Sequence, residues 1–230
     1  GSLFRVNDQF WVQHLGPDAQ EALGAVTFLL ILDFAAYFVA IAGSMSLISR
    51  ASGAGDQAAR DELVGRALFV GAAVGVLVGL FGYLCAEPLA DALELAPSQR
   101  QPFIEYTRAI HLWSPVLALA PLVSNIFLSM GDSRTPLLLQ IGAVVSNFAL
   151  NPLFIYELGM GESLIVGERW GMAGAAHASG ASRGLAVTAG LTLLAARWGI
   201  HWWRVRQVRL AHLTPILRTG IPSAGSIAVY

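Results

Sequence analysis

Three ionisable side chains stand inside apolar stretches of this sequence: Asp8, Asp33 and Arg183. A charge within the hydrocarbon of a membrane costs about 3 kcal/mol or more, so such residues face a cavity or a partner. Asp8 lies in FRVNDQFWVQHLG. Either it sits deep in a span, where a carboxylate can bind a proton or a metal cation, or it lies near an interface and is merely solvated. Asp33 has long apolar runs on both sides and can neutralise Arg183 if their helices face each other, which makes a structural ion pair. Asn147 and Asn151 are four residues apart and share one helix face. Pro152 follows and weakens the backbone ladder there. Two carboxamides so placed can line a polar pocket or act as interhelical glue.

Other chemistries find little support. His111 and His177 have no carboxylate or cysteine at ligand spacing, so no metal site is expected. The one cysteine, Cys85, excludes an internal disulfide. Gly53, Gly55 and Ala58 outline a dinucleotide fingerprint, but the preceding apolar run is too long for the strand that motif requires. GASRG around Ser182 is not a hydrolase elbow. An enzyme is not expected, and neither is an organic cofactor.

The elements that must position these residues follow from composition. Only 13% of the 230 residues are charged and 55% are hydrophobic, with a mean hydropathy of +0.60. A soluble fold cannot cover that much apolar surface with so few charges. A net charge of -1 gives no case for nucleic acid. The pattern is that of an all-α, polytopic membrane helix bundle, since a span needs roughly 20 mostly apolar residues. Complete spans are expected over 22–48, 67–86, 110–130, 136–156 and 172–196. Residues 3–15 look like the trailing half of a span and 213–230 like the leading part of another. The chain thus reads as one lobe of a longer protein.

The connections support this order. RASGAGDQAARDE at 50–62 is small and polar, 87–102 and 157–171 are acidic, and GDSRTP at 131–136 is a tight turn. The chain has no lysine. Arg50, Arg60, Arg66, Arg134, Arg197, Arg204, Arg206 and Arg209 fall in one set of alternate loops, which the positive-inside rule places in the cytoplasm. Trp198, Trp202 and Trp203 beside the last arginines suit a linker lying on lipid headgroups. Gly71, Gly75 and Gly79, then Gly180 and Gly184, recur every fourth residue, as close helix packing in lipid requires. Pro115 and Pro121 are expected to kink or open their helix.

Taken in order, RASGAGDQ (50–57), MGDSRTPL (130–137), SNFALNPLFIYELGMG (146–161), WGMAGAAHAS (170–179) and LRTGIPSA (217–224) resemble the multidrug and toxic compound extrusion (MATE) family across essentially the whole chain. The resemblance implies the six-helix N-terminal lobe of a twelve-helix transporter. Residues 1–212 would form that lobe and its cytoplasmic linker, and 213–230 would open the seventh helix, the C-terminal lobe following. It implies a multi-pass protein of the inner (plasma) membrane that exchanges H+ or Na+ for small organic, often cationic, substrates. Family site residues match Asp8, Asn147, Asn151 and Ser179, with asparagine at 151 where some branches carry aspartate, and serine at 179 for threonine. Another branch has a seventh-helix glutamate; that position falls at or near Tyr230, which is no acid. Asp33 and Arg183 match no family pattern. A related flippase for lipid-linked oligosaccharides is the alternative.

Overall fold

The computed structural model describes residues 2–158, 165–200 and 214–229. Most of the arginine–tryptophan linker, with Trp202, Trp203, Arg204, Arg206 and Arg209, lies outside them, as does Tyr230. Among the described residues the order is α1 (Ser2–Val12), a short 3-10 turn, α2 (Pro17–Gly53), α3 (Gln57–Leu84), α4 (Ala86–Ala92), α5 (Pro97–Leu112), α6 (Ser114–Ser129) and α7 (Arg134–Ile155). A two-stranded antiparallel hairpin follows, β1 (Tyr156–Leu158) and β2 (Ile165–Glu168), then α8 (Gly171–Trp198) and α9 (Thr214–Val229). Three of the described helices, α2, α3 and α7, are long and apolar enough to cross a membrane, and α5 with α6 makes a fourth if the broken pair is taken as one span. At 28 residues, α8 is long enough to cross, but alanine, glycine, His177 and Arg183 dilute its apolar surface. The sequence-derived spans therefore fall on helices, with different boundaries in the middle of the chain. The connector expected over 87–102 contains α4 and the start of α5, and the hairpin occupies part of the loop expected over 157–171.

Local chemistry sets the boundaries. Gly16, at φ 106°, separates the 3-10 turn from α2, which then opens on Pro17 with Asp18 in its first turn. Proline at the first helical position loses no hydrogen bond, and an acid there suits the helix dipole. Gly131, at φ 85°, turns the chain into α7. Asp132 caps that helix: Oδ1 accepts from the backbone N–H of Arg134 at 3.1 Å and of Thr135 at 3.0 Å, and Oδ2 from the Thr135 hydroxyl at 2.6 Å. The expected proline break falls at Trp113, between α5 and α6. Pro115 has no N–H to give the His111 carbonyl, and the Trp113 N–H turns back to Ile110 O at 3.0 Å instead. Pro121 and Pro152 remain inside their helices.

The chain divides into two compact units, residues 1–30, 78–114 and 142–183, and residues 31–77, 115–141 and 184–230. The second is built on an apolar cluster that includes Ile41, Ile48, Leu68, Leu122, Ile126, Phe127 and Leu194. Gly71 belongs to it: a Cβ there would lie 2.6 Å from a Leu122 methyl. The first unit buries Phe103, Tyr106, Ile110 and Ile155, and its helices meet through glycines. Gly79 lies against the His111 carbonyl and Gly82 against the His111 ring, Gly174 against the Phe154 carbonyl, and Gly180 against the Trp113 ring. Two of the expected small-residue positions, Gly79 and Gly180, thus serve one unit, and Gly71 the other.

Two outcomes follow. Gly180→Ala drives a methyl into the Trp113 ring and should destabilise the protein by about 1–3 kcal/mol; Gly142→Ala, where a methyl meets open space, should not. Thermal unfolding in detergent distinguishes them. Removing the cap with Asp132→Ala should cost about 1 kcal/mol at neutral pH. Hydrogen bonds from the Thr135 hydroxyl and backbone hold the Asp132 carboxyl below the usual carboxylate range. A depressed folded pKa gives stability that is present above the unfolded value and lost as pH falls through the folded one. The gap between wild type and variant should therefore close in acid.

Candidate functional site

α1, α7 and α8 come together in the first unit, and their polar side chains meet. α1 runs with α7: Asn7 reaches Asn147 and Asp8 reaches Asn151. It runs against α8: Asp8 meets Ser179, and Phe4, one turn back, meets Arg183, one turn on. Gly174 lets α8 close on α7 with backbone contact at Phe154. The Tyr156 hydroxyl, on the hairpin, donates to the Trp11 carbonyl near the end of α1, and Trp11 packs edge-on to Phe148 at 6.0 Å between ring centroids.

The hydrogen bonds all point at one carboxylate. Asn7 Nδ2 donates to Asn147 Oδ1 at 2.8 Å, and Asn147 Nδ2 donates to Ser179 Oγ at 3.2 Å. Ser179 Oγ donates to Asp8 Oδ2 at 2.8 Å, and Asn151 Nδ2 to Asp8 Oδ1 at 2.9 Å. Asp8 is 5% exposed, and Asn147 and Asn151 are fully buried. Both carboxylate oxygens therefore accept. Two carboxamide oxygens, Asn7 Oδ1 and Asn151 Oδ1, are buried without a hydrogen-bond partner. Unmatched acceptors next to a carboxylate are an electronegative lining suited to a cation.

Asp8 and Ser179 also border a cavity of about 440 Å³, whose wall includes Phe4, Arg5, Phe28, Tyr106 and Arg183. The Arg183 guanidinium lies over the Phe4 ring, 4.3 Å from its centroid. A larger, more open depression of about 830 Å³ is bordered by Asp18, Glu105, Arg169, Trp170 and His177. His177 accepts at Nδ1 from Trp113 Nε1 at 3.0 Å, and His111 Nδ1 lies 2.7 Å from the Thr107 carbonyl. Ser182 donates to the Ser179 carbonyl at 3.1 Å.

The four residues expected to act together, Asp8, Asn147, Asn151 and Ser179, are thus in one hydrogen-bonded cluster. Asp33 lies in the second unit, partly buried on α2. Sequence reasoning missed Asn7 and Tyr106. Asn7 was legible as a second polar residue beside Asp8 in an apolar run. Tyr106 carried no signal, because it falls before the expected start of its span.

The MatE family model matches residues 2–153, and the chain belongs to this family of membrane transporters. It is 26% identical over 228 residues to the probable multidrug resistance protein YpnP of Bacillus subtilis, covering 96% of this chain and 47% of that protein. It is 25% identical over 159 residues to the FAD transporter of Shewanella oneidensis, covering 68% of this chain and 34% of that one. A MOP superfamily transporter from Pyrococcus furiosus shares the fold, with a TM-score of 0.83 at 24% identity over 98% of this chain and 48% of its own. The chain spans about half the length of the relatives it matches across nearly all its residues.

The cluster predicts strong coupling. Ser179→Ala removes a donor from Asp8 and an acceptor from Asn147. A double-mutant cycle of Ser179→Ala with Asp8→Asn should show an interaction energy of about 0.5–3 kcal/mol in thermal or denaturant unfolding. Ser182→Ala with Asp8→Asn should be additive.

Proposed function

We propose that this chain is the N-terminal lobe, over 1–212, of a secondary antiporter that exports drugs or other small organic compounds from the cytoplasm in exchange for H+ or Na+. The observation that carries the reading is the Asp8 carboxylate, buried beside a cavity and held by donors from α7 and α8. Family membership supports transport, and the name of the Bacillus subtilis relative supports drugs as cargo. Asp8 is the coupling group. With its charge exposed to the cavity it attracts a cationic part of the substrate. When a proton or Na+ binds, that attraction is cancelled, and by linkage the substrate weakens the ion to the same degree. Asn147, Asn151 and Ser179 hold the ion-bound or ion-free carboxylate in place. For Na+, the unmatched oxygens of Asn7 and Asn151 add neutral ligands of the hard type an alkali ion takes. Rocking of two lobes about this region would alternate access.

Asp33, in the second unit, and Arg183, in the first, we assign structural roles within the membrane. The flippase for lipid-linked oligosaccharides is the second reading. Arg5 and Arg183 give the cavity two cations, which favours a phosphate-bearing cargo; the Asp8 carboxylate on the same wall disfavours it. The reading is of a transporter throughout, with no chemical step at the site.

In the full-length protein reconstituted in vesicles, Asp8→Asn should reduce ion-driven efflux of a cationic dye to background. Asn151→Ala should leave transport measurable but shift its dependence on the ion. Efflux unchanged in Asp8→Asn removes this residue from the mechanism. Imposing a pH gradient and a Na+ gradient separately identifies the ion.

A further inference from the structure

A separate cavity, of about 450 Å³, lies within the second unit, where the turn between α6 and α7 meets the end of α8. Its wall includes Asp132, Ser133, Arg134, Arg197 and Trp198. Asp132 is already engaged: it caps α7, and its Oδ2 stands 3.6 Å from Arg197 Nη1. The same Nη1 donates to the Thr135 hydroxyl at 3.0 Å, which anchors the Arg197 side chain through one of its three nitrogens. Arg134, the first residue of α7, is exposed, and its guanidinium has no hydrogen-bond or ionic partner among the described residues. Two cations against one anion leave the wall positive. The Trp198 ring lies under the Arg60 guanidinium, 5.2 Å from centroid to carbon, and Arg60 is itself paired with Asp61 at 2.7 Å. This is the end of the helices that the positive-inside rule places in the cytoplasm. From Arg134 into the span, Leu137 and Leu138 follow three and four residues on, along the same face of α7, and both are exposed, at 60% and 67%.

We propose that this cavity binds the phosphodiester of an anionic phospholipid, such as phosphatidylglycerol, between Arg134 and Arg197. A guanidinium recognises phosphate through parallel, charge-assisted hydrogen bonds, and Arg134 has its whole donor set to give. The Ser133 hydroxyl on the same wall adds a neutral donor. Two features point to a lipid headgroup as the source of the phosphate. The cavity sits where two helices end, with a tryptophan on its wall, which is the depth of the headgroups. Exposed Leu137 and Leu138 then run from Arg134 into the span and give acyl chains an apolar strip; inorganic phosphate has no use for one. Basic pockets at the cytoplasmic ends of membrane helices suit anionic headgroups. A zwitterionic lipid brings its own cation, which the two arginines repel. A bound headgroup bridges the start of α7 and the end of α8, and so braces, at their ends, the two helices that carry the donors to Asp8. The inference rests on the chain being a membrane protein and is independent of the coupling role given to Asp8.

The test is thermal unfolding of the purified full-length protein in a neutral detergent, titrated with phosphatidylglycerol, phosphatidylcholine or inorganic phosphate. A ligand that binds the folded state raises the melting temperature as its site fills. Phosphatidylglycerol should do this in wild type, and the other two should not. Arg134→Gln should raise the half-saturating fraction of phosphatidylglycerol by roughly tenfold or more, the loss of a hydrogen bond between charged groups. Its guanidinium has no partner to lose, so the variant should melt as wild type does before lipid is added. Half-saturation is read within each variant, which keeps it separate from any change in that starting point. Arg50→Gln removes the same charge near the end of α2, from an exposed residue outside the cavity wall, and should leave the titration unchanged. The proposal is overturned if phosphatidylglycerol stabilises wild type no more than phosphatidylcholine does, or if inorganic phosphate alone gives the shift. It is equally overturned if Arg134→Gln titrates like wild type, or if Arg50→Gln weakens the lipid as much, which is the behaviour of general surface charge.

Discussion

A carboxylate among apolar helices has to be met by donors, and the first unit is organised around meeting the one at Asp8. Its two oxygens draw hydrogen bonds from α7 and α8, and a second tier, from Asn7 through Asn147 to Ser179, orients the serine that makes one of them. Each link removes a buried orphan that would otherwise cost about 1–3 kcal/mol. In hydrocarbon, where apolar surface gives no preference for one helix neighbour over another, such polar contacts select which helices pair. The same contacts that fix α1 against α7 and α8 therefore build the site. The cluster is not closed: Asn7 and Asn151 keep an unmatched oxygen each.

Close approach makes those bonds reachable. Side chains as short as serine and asparagine bridge helices only if the backbones nearly touch. Glycine supplies that at Gly174, where α8 lies on the Phe154 carbonyl, and at Gly180, where the Trp113 ring fills the space a side chain would take. Trp113 is also the residue at which α5 gives way to α6. Its indole N–H goes to His177 on α8, so the proline break, the glycine contact and the aromatic hydrogen bond all serve to place one residue.

The charges that remain describe the cavity. Asp8 alone would make it a receptor for cations. The Arg183 guanidinium over Phe4, together with Arg5, puts positive charge on the same wall. Relatives whose names include a multidrug resistance protein and a carrier of FAD show that this family's architecture is used with cargoes of very different chemistry.

Hydropathy alone determined that the chain is a bundle of membrane helices, because apolar runs of this length have no other stable setting. The motif order added the family, and the ionisable residues inside those runs, Asp8 above all, could be picked out because charge in such places is costly. Asn147 and Asn151 were legible as a face from their spacing; Ser179 was legible only through the resemblance, since a lone serine in an alanine-rich helix carries no signal of its own. What the sequence left open was which of these groups meet. Asp8 could have been solvated, and Asn147 with Asn151 could have been mere glue. Asn7 and Tyr106 went unnoticed. Residues more than a hundred positions apart are brought into hydrogen-bond range by helix direction and by the glycines that let backbones touch. Periodicity reports which face of a helix is polar, but not which other helix that face will find. Only the tertiary structure decided that α1, α7 and α8 turn their polar faces to one another, and that the Arg183 guanidinium lies over the Phe4 ring.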